Sequence, residues 1–212
     1  LKSLQELHED VLESISACFS QNRKKERWLQ AINKLESDAN FADMSLRQLG
    51  DLTGKSLKDT ALSRIERMSS GHAIVFMTIT KLVEKVEEKT LVLIDEPESH
   101  LHPPLLSAFT RALSELLHDR NGVAIIATHS PVVLQEIPSS CVWKILRSRL
   151  VMSSHRPDIE TFGENVGVLT REVFGLEVVN SGFHDLLSES VEKGFSYEEI
   201  LNSYNNQLGY EA

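Results

Sequence analysis

Hydrophobic positions in this 212-residue chain change their period along its length. Over residues 1–40 they recur three and four apart. Leu4, Leu7, Val11, Leu12 and Ile15 form one stripe, and Trp28, Ala31, Ile32 and Leu35 form another. That spacing predicts two amphipathic helices. The charged stretch Q-N-R-K-K-E-R joins them, and its Arg23, Lys24, Lys25 and Arg27 read as a solvated face. Residues 41–60 mix short helical pieces with Gly50 and Gly54 and predict a turn-rich lobe. From Gly71, G-H-A-I-V-F-M-T-I-T is apolar all round, then Ile79, Leu82, Val83 and Val86 keep to one side. This is a helix with its first half buried.

Two short runs follow a different rule. T-L-V-L-I-D-E and G-V-A-I-I-A-T-H-S are continuous and apolar, the pattern of strands covered on both faces. Between them P-P-L-L-S-A-F-T-R-A-L-S-E-L-L-H predicts a helix with proline near its start and Leu106, Phe109, Leu113 and Leu117 inward. P-V-V-L-Q-E-I-P opens another short helix. Strand, helix, strand, helix of this kind predicts a parallel α/β sheet. Cys141 to Met152 can add one or two strands, and from Gly163 the pattern returns to helices, ending in a polar amphipathic segment around Tyr197 to Leu208. The expected organisation is a helical lobe over 1–70, an α/β core over 71–152 and a mostly helical extension over 153–212.

Charge and cysteines narrow the class. The formal net charge of −9, from 22 basic and 31 acidic residues, argues against a protein that coats nucleic acid. Cys18 and Cys141 are far apart and form no C-x-x-C pair. Neither a disulfide scaffold nor a zinc knuckle is expected, and a cytoplasmic location is the default. No apolar run reaches the roughly 18–20 residues of a membrane span. The stretch L-K-S-L-Q-E-L-H-E-D carries no initiator methionine and no secretory h-region, and reads as the middle of a helix. A longer protein is expected around this chain.

Three stretches carry chemistry. L-V-L-I-D-E-P places Asp95 and Glu96 at the carboxyl end of a buried strand, where open α/β sheets bind ligands. Adjacent carboxylates repel unless a cation or an ordered water separates them. A Mg²⁺-linked Asp95 and a water-activating Glu96 give each a task, whereas simple capping of the helix at Pro103 is seven residues too distant. The second strand ends in Thr128, His129 and Ser130, so His129 reaches the same crevice. Ser130 lacks the G-x-S-x-G elbow of an acyl-transfer nucleophile. Upstream, M-S-S-G-H puts Ser69, Ser70 and Gly71 at a helix amino terminus, either as a simple N-cap or as an anion site.

G-D-L-T-G-K-S, Gly50 to Ser56, imitates a phosphate-binding loop. The loop needs four residues between its glycines, and here only Asp51, Leu52 and Thr53 intervene. No buried strand precedes it, so Lys55 is expected in a solvated turn.

Together the three stretches resemble the carboxy-terminal half of an ATP-binding-cassette (ABC-type) ATPase head. M-S-S-G-H resembles the signature motif L-S-G-G-Q, L-V-L-I-D-E resembles Walker B, and A-T-H-S resembles the switch-histidine strand. E-P-E-S-H-L-H-P resembles the D-loop region of the SMC-like, RecF-like and overcoming-lysogeny-type branch. T-F-G-E-N-V-G-V-L-T-R-E-V-F-G-L is similar to a stretch in the ATPase subunits of Septu and retron antiphage defence systems. Residues 60–175 carry the resemblance. It implies a parallel-sheet core with a helical signature lobe and a helical tail, and ATP and Mg²⁺ as cofactors. It also implies a head-to-head homo-oligomer with a nuclease effector as partner, and a reverse transcriptase or nucleic-acid complex as a further one.

Carried over by position, Ser69 and Gly71 correspond to the residues that contact the γ-phosphate of ATP on an opposing subunit, with Ser70 in place of the intervening glycine. Asp95 corresponds to the Mg²⁺ holder, Glu96 to the general base and His129 to the γ-phosphate sensor. His72 replaces the usual Gln or Glu and has no carried-over role. A composite site is expected, because a 16-residue signature helix, about 24 Å long, would hold Ser69 away from the acids of its own subunit. Walker A and the adenine lobe are absent from the sequence given. The family pattern leaves Glu98, His100 and His102 as D-loop structure in preference to metal ligands, and no acidic D-x-D nuclease pattern follows His129. Alternative readings are an SMC-like DNA-repair ATPase, which requires flanking heptads, and a non-hydrolysing scaffold, which has no need of Asp95, Glu96 and His129.

Overall fold

The two stripes of residues 1–40 form α1 (Leu4–Phe19) and α2 (Asn22–Leu35) in the computed structural model, which describes residues 4–148, 151–175 and 182–208. By its contacts the chain divides into two units, Leu1–Glu136 and Ile137–Ala212. At the centre of the first unit lies Trp28, with no exposed surface. Phe19 and Phe76 meet its ring edge-on at centroid distances of 5.1 and 6.0 Å. Its indole N–H donates to Thr80 Oγ1 at 3.0 Å, so the buried polar edge is satisfied. Val11 and Ile15 of the first stripe are buried, whereas Leu7 stands exposed. Cys18 is also buried, which pushes its thiol up to about 12, and neither cysteine is in a disulfide.

Residues 36–65 form the short pieces expected of a turn-rich lobe. Asp38 caps α3 (Ala39–Asp43), accepting from the N–H groups of Asn40 and Phe41 at 3.0 and 3.2 Å. A 3-10 turn (Leu46–Asp51) precedes α4 (Gly54–Ile65). Lys55 is exposed in the first turn of α4, and what precedes it is that 3-10 turn rather than a strand.

Ser69 caps α5 (Ser70–Lys85), whose buried face runs through Val75, Phe76, Ile79 and Val83. The chain then reverses into β1 (Leu91–Asp95), a 3-10 turn (Pro97–His100) and α6 (Pro103–Asp119). Next come β2 (Val123–Ala127) and α7 (Pro131–Gln135). Leu106, Phe109, Leu113 and Leu117 are all buried, as the pattern of α6 predicts. α5 and α6 pack on each other and on α2. Because α5 and β1 run in opposite directions, the start of α5 returns to the carboxyl end of β1. A Cβ on Gly71 would lie 3.0 Å from the His100 carbonyl oxygen, so any larger residue there would require that carbonyl to shift by a few tenths of an ångström.

β1 and β2 pair in parallel, Leu91 with Val123 through to Asp95 with Ala127. The expectation that both strands are covered on both faces is not met. Val92, Ile94, Ala124 and Ile126 pack against the helices. Leu91, Leu93, Val123 and Ile125, on the other face, are each more than half exposed. Among the described residues this sheet has two strands, and the helices lie against one side of it. A continuous apolar run marks a strand built for burial; it does not supply the second layer.

The second unit begins with an antiparallel pair, β3 (Lys144–Ser148) and β4 (Val151–His155), in the stretch expected to add strands. Helices α8 (Val166–Phe174), α9 (Gly182–Glu192) and α10 (Tyr197–Ser203) follow. Asn165 caps α8 by accepting from Gly167 N–H at 2.8 Å, and Ser196 and Glu199 form a capping box on α10. Residues 149, 150 and 176 of the stretches read above lie outside the described residues.

Thr80→Val keeps the volume at the core but leaves the Trp28 N–H without an acceptor. Equilibrium urea unfolding should show a loss of about 1–3 kcal/mol, and Thr80→Ser, which retains the acceptor, should lose less. Equal losses in the two variants would mean that packing, not this hydrogen bond, matters at the position.

Candidate functional site

The parallel ladder ends both strands at one level, and the candidate acids leave the sheet there. Asp95 is the last residue of β1 and lies on the same side as Leu91 and Leu93, exposed. Glu96 donates its backbone N–H to Ala127 O at 2.8 Å and then takes a left-handed conformation, φ 44° and ψ 59°. A non-glycine residue seldom adopts it, and here it turns the chain sharply out of the sheet. The two acids do not cap α6. His102 does so, its Nδ1 accepting from Leu105 N–H at 3.3 Å.

After that turn Glu98 folds back onto the end of β2. Its carboxylate accepts from the Thr128 hydroxyl at 2.9 Å on each oxygen and from the His129 backbone N–H at 2.7 Å. The His129 ring closes on it as well, with Nδ1 3.1 Å from Glu98 Oε1 and 3.7 Å from Glu96 Oε1. Burial alone would raise the Glu98 carboxyl. The His129 N–H, the Thr128 hydroxyl and the nearby imidazole outweigh it and hold the carboxyl below its ordinary range. Glu98 is thus an ionised clasp between the Pro97–His100 turn and the end of β2, and the His129 ring lies against it. Glu96 and His129 themselves remain largely exposed. Ser130 is spent on capping α7, accepting from Val132 N–H at 3.3 Å.

The site therefore brings Glu96, Glu98, Thr128 and His129 together beside Asp95. Sequence reasoning weighs Glu98 only as a metal ligand with His100 and His102, and the structure separates these: Glu98 faces Thr128 and His129, whereas His102 Nε2 faces Asp38 at 3.8 Å. The usable signal is the second acid of E-P-E, one short turn after Glu96. Asp95 and Glu96 offer exposed carboxylate oxygens at a strand end, a donor set that suits a hard cation such as Mg²⁺.

Ser69 and Ser70 are exposed at the start of α5, while Gly71 is buried against the turn that follows Glu96. The start of this helix packs, through Gly71, against the turn that follows Glu96. α5 reverses into β1, and His100, against which Gly71 packs, lies four residues after Glu96. Ser69 Oγ accepts from His72 N–H at 3.4 Å and lies 2.6 Å from His72 Nδ1, and His72 Nε2 lies 3.0 Å from Asp38 Oδ1. Nothing in the sequence joins Asp38 to His72, 34 positions later; the fold alone does so. Lys55, in α4, has no strand before it to make a phosphate loop.

Comparison with known proteins identifies the family. Residues 7–135 match the family described as "AAA domain, putative AbiEii toxin, Type IV TA system", a span that covers nearly all of the first unit. Over 229 aligned residues the chain is 57% identical to protein ea59 of Escherichia phage lambda. That alignment covers all of this chain and 44% of the phage protein, so the chain spans less than half of that relative's length. Among the described residues no helix is long and apolar enough to cross a membrane. With its parallel strand pair, its acids at the strand ends and a family match over more than half of its residues, the chain belongs to this family of AAA-type ATPase domains.

Proposed function

We propose that the chain is the carboxy-terminal half of an ABC-type ATPase head, and that ATP hydrolysis in a composite site switches a cytoplasmic antiphage defence complex. The observation that carries the reading is the convergence of Asp95, Glu96 and His129 at one sheet end, beside a bare apolar face. Parallel strands are ordinarily buried on both sides. A second layer bringing its own strands and a phosphate loop would cover Leu91, Leu93, Val123 and Ile125 and bring phosphates toward the acids. On this reading the core over 71–152 holds the chemistry, 1–70 forms the signature lobe and 153–212 extends toward partners.

In the assembled site Asp95 would hold Mg²⁺, which would supply positive charge beside the phosphates. Glu96 accepts the proton of the attacking water. Its exposed carboxylate and its turn out of the sheet suit that role, and general-base catalysis of this kind contributes about 10²- to 10⁴-fold. His129, aimed by Glu98, senses the γ-phosphate. Ser69, Ser70 and the backbone of Gly71 serve a phosphate bound on an opposing subunit, which makes a head-to-head homo-oligomer the working unit. A nuclease effector is the partner released or licensed by the switch, and a retron or Septu complex with its reverse transcriptase or nucleic acid is the setting the 161–176 stretch favours. The family's toxin–antitoxin description supports a conditional activity of this kind.

Two experiments test the reading. In the full-length protein Glu96→Gln should retain ATP binding and slow turnover by about 10²- to 10⁴-fold, and parental turnover in that variant would remove Glu96 from the chemistry. Mixing full-length Ser69→Arg and Glu96→Gln variants, each inactive alone, should restore part of the ATPase rate. A mixed dimer then holds one site with both lesions and one with neither. If subunits exchange and the mixture stays inactive, each site is built within one subunit.

A further inference from the structure

Ser69, His72 and Asp38 form a hydrogen-bonded chain at the start of α5, and the geometry points to His72 as a positioning residue that decides which way the Ser69 hydroxyl donates. The inference rests on the reading of Ser69 as a phosphate contact. Asp38 stands in the turn before α3, its carboxylate held by the N–H groups of Asn40 and Phe41. Its Oδ1 lies 3.0 Å from His72 Nε2, and His72 Nδ1 lies 2.6 Å from Ser69 Oγ. Asp38 and His72 are buried, and Ser69, at the outer end, is exposed. The chain thus links a buried charge to a surface hydroxyl at a helix amino terminus.

The proton positions follow from what each atom can do. An ionised carboxylate only accepts, so His72 Nε2 carries the proton and donates to Asp38. Burial would raise the Asp38 carboxyl, but the His72 hydrogen bond, the Phe41 N–H and the two facing imidazoles lower it further than that. In the neutral ring Nδ1 is then an acceptor, and the Ser69 hydroxyl must donate into it. Toward solvent the serine presents only a lone pair, which repels a phosphate oxygen. When His72 takes up a proton from solvent, Nδ1–H donates to Ser69 Oγ. That oxygen already accepts from His72 N–H at 3.4 Å, so both lone pairs are occupied and the O–H turns outward. Arrival of a phosphate at Ser69 is therefore coupled to uptake of one proton by His72, with Asp38 stabilising the resulting imidazolium. The titratable groups facing His72 are Asp38 and, from the start of α6, His102, whose ring lies 5.5 Å away; Phe41 of α3 is its apolar neighbour.

The same residues invite a cation, since ligand atoms of Asp38, His72 and His102 lie within 4.8 Å of one another. A metal would need both Nε2 atoms without protons. His102 Nδ1 accepts from Leu105 N–H, which in the neutral ring leaves the proton on Nε2. Asp38 Oδ1 already faces three donors. The hydrogen-bonding pattern is that of a proton relay.

The test is the pH profile of kcat/KM for ATP hydrolysis by the full-length protein, with folding of each variant checked by thermal melting. As pH rises through the loss of the one required proton, the parent should show an alkaline limb of about tenfold loss per pH unit. His72→Gln should abolish this limb, and Asp38→Asn should move it to lower pH. Ser69→Ala should be slow and free of the limb, and adding His72→Gln to it should change the rate less than twofold. If Ser69→Ala is slow but the limb persists unchanged in His72→Gln, the relay is wrong and the Ser69 reading stands. If Ser69→Ala hydrolyses ATP at the parental rate, the Ser69 reading fails and the relay with it. Should His72→Gln not fold, the limb in Ser69→Ala, an exposed position, decides alone, and its persistence there overturns the relay. Stoichiometric Zn²⁺ binding to the metal-stripped parent that is lost in His102→Ala would also overturn it.

Discussion

Five parallel residue pairs bring Leu91–Asp95 and Val123–Ala127 to a common end, and the rest of the site hangs from that level. The two strands are separated by a helix of 17 residues, so no local interaction could align them. The ladder places Glu96 N–H on Ala127 O and sets the Pro97–His100 turn against Thr128 and His129. A slip of one residue would turn Asp95 to the opposite face of the sheet and exchange the apolar sets between core and solvent.

Glu98 shows how such a site is tied together. It is a half-buried carboxylate with a hydroxyl, a backbone N–H and an imidazole around it. Each of these bonds is stronger for being charge-assisted, and together they fix an exposed histidine that would otherwise rotate freely. Its neighbour Glu96 has the opposite character: exposed, in a left-handed conformation and near the His129 ring without touching it. Two acids two positions apart are divided between holding the turn and facing the ligand, and the division is made by burial.

Glycine at position 71 has a comparable double character. It opens α5 within M-S-S-G-H, and it also lets the His100 carbonyl approach, where a Cβ would meet that oxygen at 3.0 Å. That approach also puts the start of α5 beside the turn after Glu96. The start of α5, the 97–100 turn and the Asp38 cap thus lie together, with His72 and His102 ring to ring.

Much of the fold was legible in the chain because it rests on local periodicity. The stripes of α1, α2 and α6, the buried face of α5, and the two short apolar strands each announce themselves over a dozen residues or fewer; the burial expected all round the first half of α5 is not met, since Ile74 stands 43% exposed. Asp95, Glu96 and His129 were legible for a related reason, since a polar residue directly after a buried strand can only stand at its end. Contacts between distant segments were not legible. The bare outer face of the sheet depends on which helices pack where, and a run such as L-V-L-I reads the same with one layer over it or two. The approach of Gly71 at the start of α5 to the His100 carbonyl depends on a chain reversal, which helix length alone cannot show. The pairing of Asp38 with His72 and of Glu98 with Thr128 joins residues 34 and 30 positions apart. Hydrogen bonds of that reach leave no periodic trace, and only the tertiary structure decides them.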